Sequence, residues 1–237
     1  MNTHRVTEAN LRELTLPASF SRERVSAIIC IEMFDRDYDC MVCDLGIPVL
    51  FVDGPVRMDG FTLPADQLYM DNSTGIIRFV KDMLTAGHTR IGFIGDYYHC
   101  QSFFERYAAF RCTMLLSGFT VRDADCVPSN DREVIREGIQ AMESLPDVFL
   151  CANDFIAMDV ILALREMGKS VPEDVWLCGF DDSPESRIIS PPLTTIHIHT
   201  QIMAFSAVQL LMSRMKEPSL DYRIMHTQTD LIEREST

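Results

Sequence analysis

Short apolar runs alternate along the chain with stretches of helical periodicity. Residues 25–31 read as a buried strand. Residues 47–52 read as another, rich in branched side chains and entered through Pro48. Between 72 and 86 the apolar positions Ile76, Ile77, Phe79, Val80, Met83 and Leu84 fall at helical spacing, and Gly87 supplies a C-terminal stop. Residues 91–95 form the next predicted strand and 103–116 a second amphipathic helix, stopped by Gly118. A third helix over 134–144 precedes Pro146, a strand covers 148–152, and a helix over 155–167 ends at Gly168. A strand over 175–180 and a helix over 202–215 complete the pattern, with Trp176 read as a core residue. Strands separated by helices of about 10–15 residues indicate βαβ units, hence an α/β fold with doubly wound parallel sheets.

Composition narrows the function. The net charge is −14, with only 21 lysines and arginines and no basic run. A duplex-binding surface needs clustered positive charge, so this chain is a poor nucleic-acid binder by itself. No apolar stretch of about 18 residues is present, so no membrane partner is expected. The polar first residues, Met-Asn-Thr-His-Arg, do not form an export signal. Several of the eight cysteines sit inside apolar runs, as Cys30 and Cys151 do. They read as reduced thiols acting as small hydrophobes, which fits the cytoplasm.

Ligands of open parallel sheets bind beyond the carboxyl ends of the strands. There the sequence delivers Asp53, then Asp96 with a loop leading to Ser102 and Arg106, then Asn153 and Asp154, then Asp181 and Asp182. Carboxylates, an amide and a guanidinium of this kind bind hydroxyls and ring nitrogens in pairs. Each also has a plain structural reading. Asn153 or Asp154 fits an ordinary helix N-cap, Asp154 more readily, and Asp182 fits a turn before Pro184.

Other motifs point nowhere definite. Cys40 and Cys43 have zinc-like spacing without a second pair. His197 and His199 alternate and so share one strand face, half of a metal site at most. Phosphate loops, nucleophile elbows and dinucleotide fingerprints are absent from the sequence, so neither a metal, a cofactor nor an enzyme is expected.

Ile47-Pro48-Val49-Leu50-Phe51-Val52-Asp53, Asp71-Asn72-Ser73-Thr74-Gly75, and Gly87-His88 running into Ile91-Gly92-Phe93-Ile94-Gly95 follow one another along the chain. Arg106-Tyr107-Ala108-Ala109-Phe110, Ala152-Asn153-Asp154, Gly179-Phe180-Asp181-Asp182 and Pro191-Pro192-Leu193-Thr194-Thr195-Ile196 continue the series. The order of these motifs resembles the lac-repressor-type (LacI/GalR) family of transcriptional regulators. It implies two periplasmic-binding-protein-like subdomains, 1–69 with 199–219 and 70–198 with 220–237. A small-molecule effector, a sugar first and a nucleobase second, would be held between them.

The resemblance assigns ligand-binding roles to Asp53, Ser102, Arg106, Asn153 and Asp181, with Phe180 packing beneath and Thr200 as a wall residue. Arg106 would also serve an anionic ligand. The hinge would run through Asp71 and 198–200. A homodimer is implied, with operator DNA reached only through a headpiece missing from this chain. The first subdomain is expected to be incomplete at its N-terminus, leaving strand 25–31 as an open sheet edge and the chain less stable than its parent. A transport-type solute-binding protein and a doubly wound enzyme are the alternatives.

Overall fold

The computed structural model describes residues 2–237. Its elements begin with α1 (Glu8–Glu13), β1 (Ile28–Ile31), α2 (Arg36–Cys43), β2 (Val49–Val52), β3 (Asp66–Met70), α3 (Thr74–Thr85) and β4 (Ile91–Ile94). They continue with α4 (Gln101–Leu116), α5 (Arg132–Gln140), β5 (Val148–Cys151), α6 (Asp154–Glu166), β6 (Trp176–Cys178), α7 (Pro184–Ile188), β7 (Thr195–Ile198), α8 (Thr200–Lys216), β8 (Ile224–Thr227) and β9 (Thr229–Ile232). The expected α/β architecture is observed. β1, β2 and β3 pair in parallel, and so do β4, β5 and β6.

The chain divides into two units. The first combines residues 2–69 with Thr200–Thr227 around a sheet ordered β1-β2-β3-β8. On one face of this sheet Cys30, Tyr38, Val42, Val49, Phe51, Leu63 and Ala65 form a core. Helix α8 turns Met203, Ala207, Leu210 and Arg214 inward and contacts β2. A carboxylate clamps the discontinuous pieces together. Asp66 is fully buried on β3 and receives Arg214 Nε and Nη2 at 3.0 and 2.9 Å. It also receives the Arg223 backbone N–H at 2.8 Å and Arg223 Nη2 at 3.1 Å. Burial opposes the charge on Asp66, but the two guanidiniums outweigh it and hold its pKa below the usual carboxylate value.

This clamp corrects one expected boundary. The sequence reading assigns 220–237 to the second subdomain, yet Arg223 is drawn to Asp66 and β8 extends the first unit's sheet. The last crossing falls after Thr227, and His199 belongs to the second unit. Strand β1 lies at the sheet edge, and its Ile31 is 64% exposed.

Asp39 on α2 is fully buried, and neither carboxylate oxygen has a hydrogen-bond partner among the described residues. Burial first, then the nearby Asp35, pushes its pKa up to about 7.

The second unit comprises Met70–His199 and Gln228–Thr237. Its sheet is ordered β4-β5-β6, and β7 and β9 form a separate antiparallel pair. Helices α3 and α4 pack together, as do α5 and α6. Helix α3 ends as its pattern predicts. Gly87 has φ +96° and donates to Leu84 O, while His88 donates to Met83 O. Trp176, expected in the core, is instead part-exposed at the start of β6, with its ring 4.3 Å from that of His88.

Candidate functional site

In the second unit Asn72 after β3, the Ala152 carbonyl after β5, and Phe180 and Asp181 after β6 meet around Arg106. This residue lies on α4, and only 3% of its side chain is exposed. Its Nε donates to Asn72 Oδ1 at 2.9 Å and its Nη1 to the Ala152 carbonyl at 2.7 Å. The guanidinium carbon sits 3.5 Å from the centroid of the Phe180 ring, a cation–π contact in a desolvated setting. Asp181 Oδ1 stands 3.7 Å from Nη1. Nη2 makes no hydrogen bond among the described residues, while the rest of the guanidinium is fixed.

The loop after β6 is shaped by close approach. A Cβ on Gly179 would lie 2.3 Å from Asp154 Oδ1, so only glycine lets the strand pass the carboxylate. Asp154 is fully buried, accepting Thr195 Oγ1 at 2.5 Å and the Ser183 N–H at 2.7 Å. Its own N–H donates to Phe180 O at 2.9 Å, tying the ends of β5 and β6 together. Burial raises its pKa despite these bonds. Asn153, and not Asp154, is the N-cap of α6: its Oδ1 accepts from the Ile156 N–H at 2.9 Å. That leaves the Asn153 Nδ2 donors without a partner among the described residues.

Asp181 and Asp182 both have positive φ, +110° and +55°. Such backbone costs of order 1–3 kcal/mol per residue and persists only when its surroundings impose it. The side chain of Asp182 supplies the restraint. It is bound by Arg187 at 2.6 Å, Arg234 at 2.5 Å and His197 Nδ1 at 2.9 Å. Burial works against its ionisation, and the two guanidiniums more than compensate, holding its pKa low. Asp182 therefore anchors the turn that presents Asp181; the turn-capping group before Pro184 is Ser183, the N-cap of α7.

The residues predicted from sequence distribute over both units. Ser102, Arg106, Asn153, Phe180 and Asp181 lie in the second unit. Ser102 Oγ, buried, donates to Met70 Sδ at 3.3 Å and accepts from Asn72 Nδ2 at 3.3 Å. Asp53 and Thr200 lie in the first unit. Asp53 follows β2 with φ +60°, its Oδ1 accepting from the Gly54 N–H at 2.8 Å. Thr200 is exposed at the first position of α8.

Two residues were not singled out for the site. Asn72, 2% exposed, accepts from Arg106 and donates to Glu105 Oε2 at 2.8 Å. Glu105 also accepts from Gln101 Nε2 at 2.9 Å. Asn72 was legible only as part of a helix-start motif. Glu105 gave no signal, because a helical glutamate ordinarily faces water.

His197 lies on β7 and His199 just beyond its end, with ring centroids 4.8 Å apart, and each holds a carboxylate, Asp182 and Asp230 respectively. Cys40 and Cys43 lie on α2, one helical turn apart. Among the described residues no group of three or more potential metal ligands converges. No helix among them is long and apolar enough to cross a membrane.

A model of the periplasmic binding protein-like domain matches residues 80–237. The chain is 28% identical over 208 residues to the HTH-type transcriptional repressor PurR of Vibrio campbellii (strain ATCC BAA-1116). That match covers 86% of this chain and 59% of the relative, so the chain spans well under two thirds of that protein's length. Its fold is similar to a LacI transcriptional regulator from a Rhodococcus species, with TM-score 0.75 and 27% identity over 91% of this chain and 79% of that one. A transcriptional regulator CelR–cellobiose complex matches with TM-score 0.80 and 23% identity, over 91% of this chain and 67% of that one.

Proposed function

Because this chain belongs to the periplasmic binding protein-like domain family, we propose that it is the effector-binding core of a lac-repressor-type transcriptional regulator and that its effector is a small neutral sugar. The observation that carries the proposal is Arg106, buried, laid on the Phe180 ring and facing Asp181 at 3.7 Å. A sugar hydroxyl can donate to the carboxylate while accepting from the guanidinium, so adjacent hydroxyls match this donor–acceptor pair. The Nδ2 donors of Asn153, and Asp53 in the first unit, complete the ligand set of the proposal, with Ser102 behind Arg106 and Thr200 as a wall residue. Cellobiose in the CelR complex supports the ligand class.

The core acts as a non-enzymatic, cytoplasmic homodimer in this reading. Effector binding shifts an equilibrium by its differential affinity for two states. DNA recognition is assigned to the longer polypeptide that such relatives represent, since these 237 residues carry a charge of −14.

Thermal unfolding against a panel of neutral sugars, sugar phosphates and nucleobases tests the proposal. A ligand at about 100 times its dissociation constant adds roughly 2.7 kcal/mol. The stabilisation should appear with a neutral sugar and vanish in both Arg106→Ala and Asp181→Ala. Stabilisation that survives both substitutions would overturn the site.

A further inference from the structure

Arg106 is held at three places. Nη1 donates to the Ala152 carbonyl at 2.7 Å, and the guanidinium carbon lies 3.5 Å from the centroid of the Phe180 ring. These contacts fix one corner and one face. The bond from Nε to Asn72 Oδ1, at 2.9 Å, then fixes rotation within the guanidinium plane. That rotation decides where Nη2 points and how Nη1 meets Asp181, 3.7 Å away.

The third hold depends on an amide with two unlike ends. While Oδ1 of Asn72 accepts from Arg106, its Nδ2 donates to Glu105 Oε2 at 2.8 Å and to Ser102 Oγ at 3.3 Å. A half-turn of the amide would set donor against donor at Arg106 Nε and acceptor against acceptor at Glu105. Asn72 is only 2% exposed, so water cannot repair the misplaced ends. The adjoining backbone is already committed. Asp71 Oδ1 accepts from the Ser73 and Thr74 N–H groups at 2.9 and 3.1 Å, and the Asp71 carbonyl accepts from Thr229 Oγ1 at 2.9 Å. The orientation of the amide is the freedom that is left.

We infer that Glu105 makes this choice and is a positioning residue of the effector site, acting on Arg106 through Asn72. A carboxylate only accepts, so it selects the NH2 end of the amide and turns Oδ1 toward the guanidinium. Ser102 cannot select in this way, because a hydroxyl both donates and accepts; its own proton goes to Met70 Sδ at 3.3 Å. Gln101 Nε2 donates to the second oxygen of Glu105 at 2.9 Å and steadies the carboxylate from behind. This role rests on the sugar reading for its ligand, and on the chain from Gln101 through Glu105 and Asn72 to Arg106 for its mechanism.

Two measurements on the full chain test it. Solvent exchange of the Arg106 Nε–H, followed by nitrogen-edited NMR and assigned by its loss in Arg106→Lys, needs no ligand. Calorimetric titration with cellobiose reads the site. Glu105→Ala should speed the exchange by about 10-fold or more and weaken cellobiose binding by about 10-fold. Asn72→Asp combined with Glu105→Gln exchanges the carboxylate and the amide between the two positions. The carboxylate then accepts from Arg106, and the amide donates to it. Slow exchange and binding should return to within about 3-fold of wild type. Asn72→Ala combined with Glu105→Gln lacks the acceptor and should not recover.

An exchange rate unchanged by Glu105→Ala overturns the role of Glu105. So does a folded exchange variant that fails to recover slow exchange. Cellobiose that binds no form of the chain counts against the sugar reading alone, and the exchange rates then decide the role of Glu105 by themselves.

Discussion

Replacing Asp39 with asparagine tests how the first unit responds to an unpartnered buried carboxyl. In the folded chain its pKa is pushed up to about 7, from an ordinary value of 3.8. The folded state therefore holds a proton that the unfolded state has released throughout the interval between those values. The contribution of Asp39 to stability is highest at acid pH and falls by about 1.4 kcal/mol per pH unit as pH rises through that interval. The total is about 4 kcal/mol, and the loss levels off above about pH 7.

Asparagine has nearly the same shape and no charge, so its penalty does not change with pH. Near pH 4 the variant and wild type should unfold at similar denaturant concentrations, because protonated aspartic acid and asparagine both bury polar atoms without partners. Near pH 8 the variant should be more stable, by about 2–4 kcal/mol once the buried amide is allowed for. Other carboxyls also titrate: Asp154 is shifted up, and Asp66 and Asp182 down. The informative quantity is thus the difference between the two proteins, read by urea unfolding at several pH values, with hydrogen exchange of α2 amides locating the effect. A difference that stays flat from pH 4 to pH 8 would refute the reasoning.

Asp66→Ala strands Arg214 and Arg223 and should cost the first unit roughly 3–5 kcal/mol, measured as lost protection of β3 and β8 amides against exchange. Gly179→Ala drives a methyl into Asp154 Oδ1 and should lower stability by about 1–3 kcal/mol, read from the thermal midpoint. Cys151 and Cys178 are fully buried, and desolvation raises both thiols far above their ordinary pKa, whereas Cys112 is exposed. Mass spectrometry after brief native alkylation should therefore find Cys112 labelled and the two strand cysteines untouched.

The parallel core strands were readable because their apolar runs are bounded by turns, and the long helices because their stripes keep a single period. The missed elements lack those signals. Strand β3 opens with Asp66 and Gln67, both buried, so its polarity argued against a strand until the arginine clamp was visible. Helix α2, with the sequence RDYDCMVC, is short and acidic, and its buried aspartate breaks the apolar stripe. In the candidate site, the strand-end rule picks out Asp53, Asn153 and Asp181 from order along the chain alone. It could not rank Asn153 above Asp154 as the cap, since both residue types cap well and only the carboxylate's bonds to Thr195 and Ser183 separate them. Asn72 was invisible as a partner of Arg106, 34 residues away, because hydrogen bonds between distant polar side chains leave no local pattern.

The clamp at Asp66 also sets a schedule for biosynthesis. Its two arginines are encoded 148 and 157 residues downstream. At about 5–20 residues per second, a ribosome delivers them roughly 10–30 seconds after the aspartate. Over that interval β1, β2 and β3 wait on the nascent chain without α8 above them or β8 beside them. Most of the second unit is translated meanwhile and is free to fold first. The half-made first unit is then the species with an open sheet edge and bare apolar faces, and the one most in need of a chaperone's shelter until translation ends.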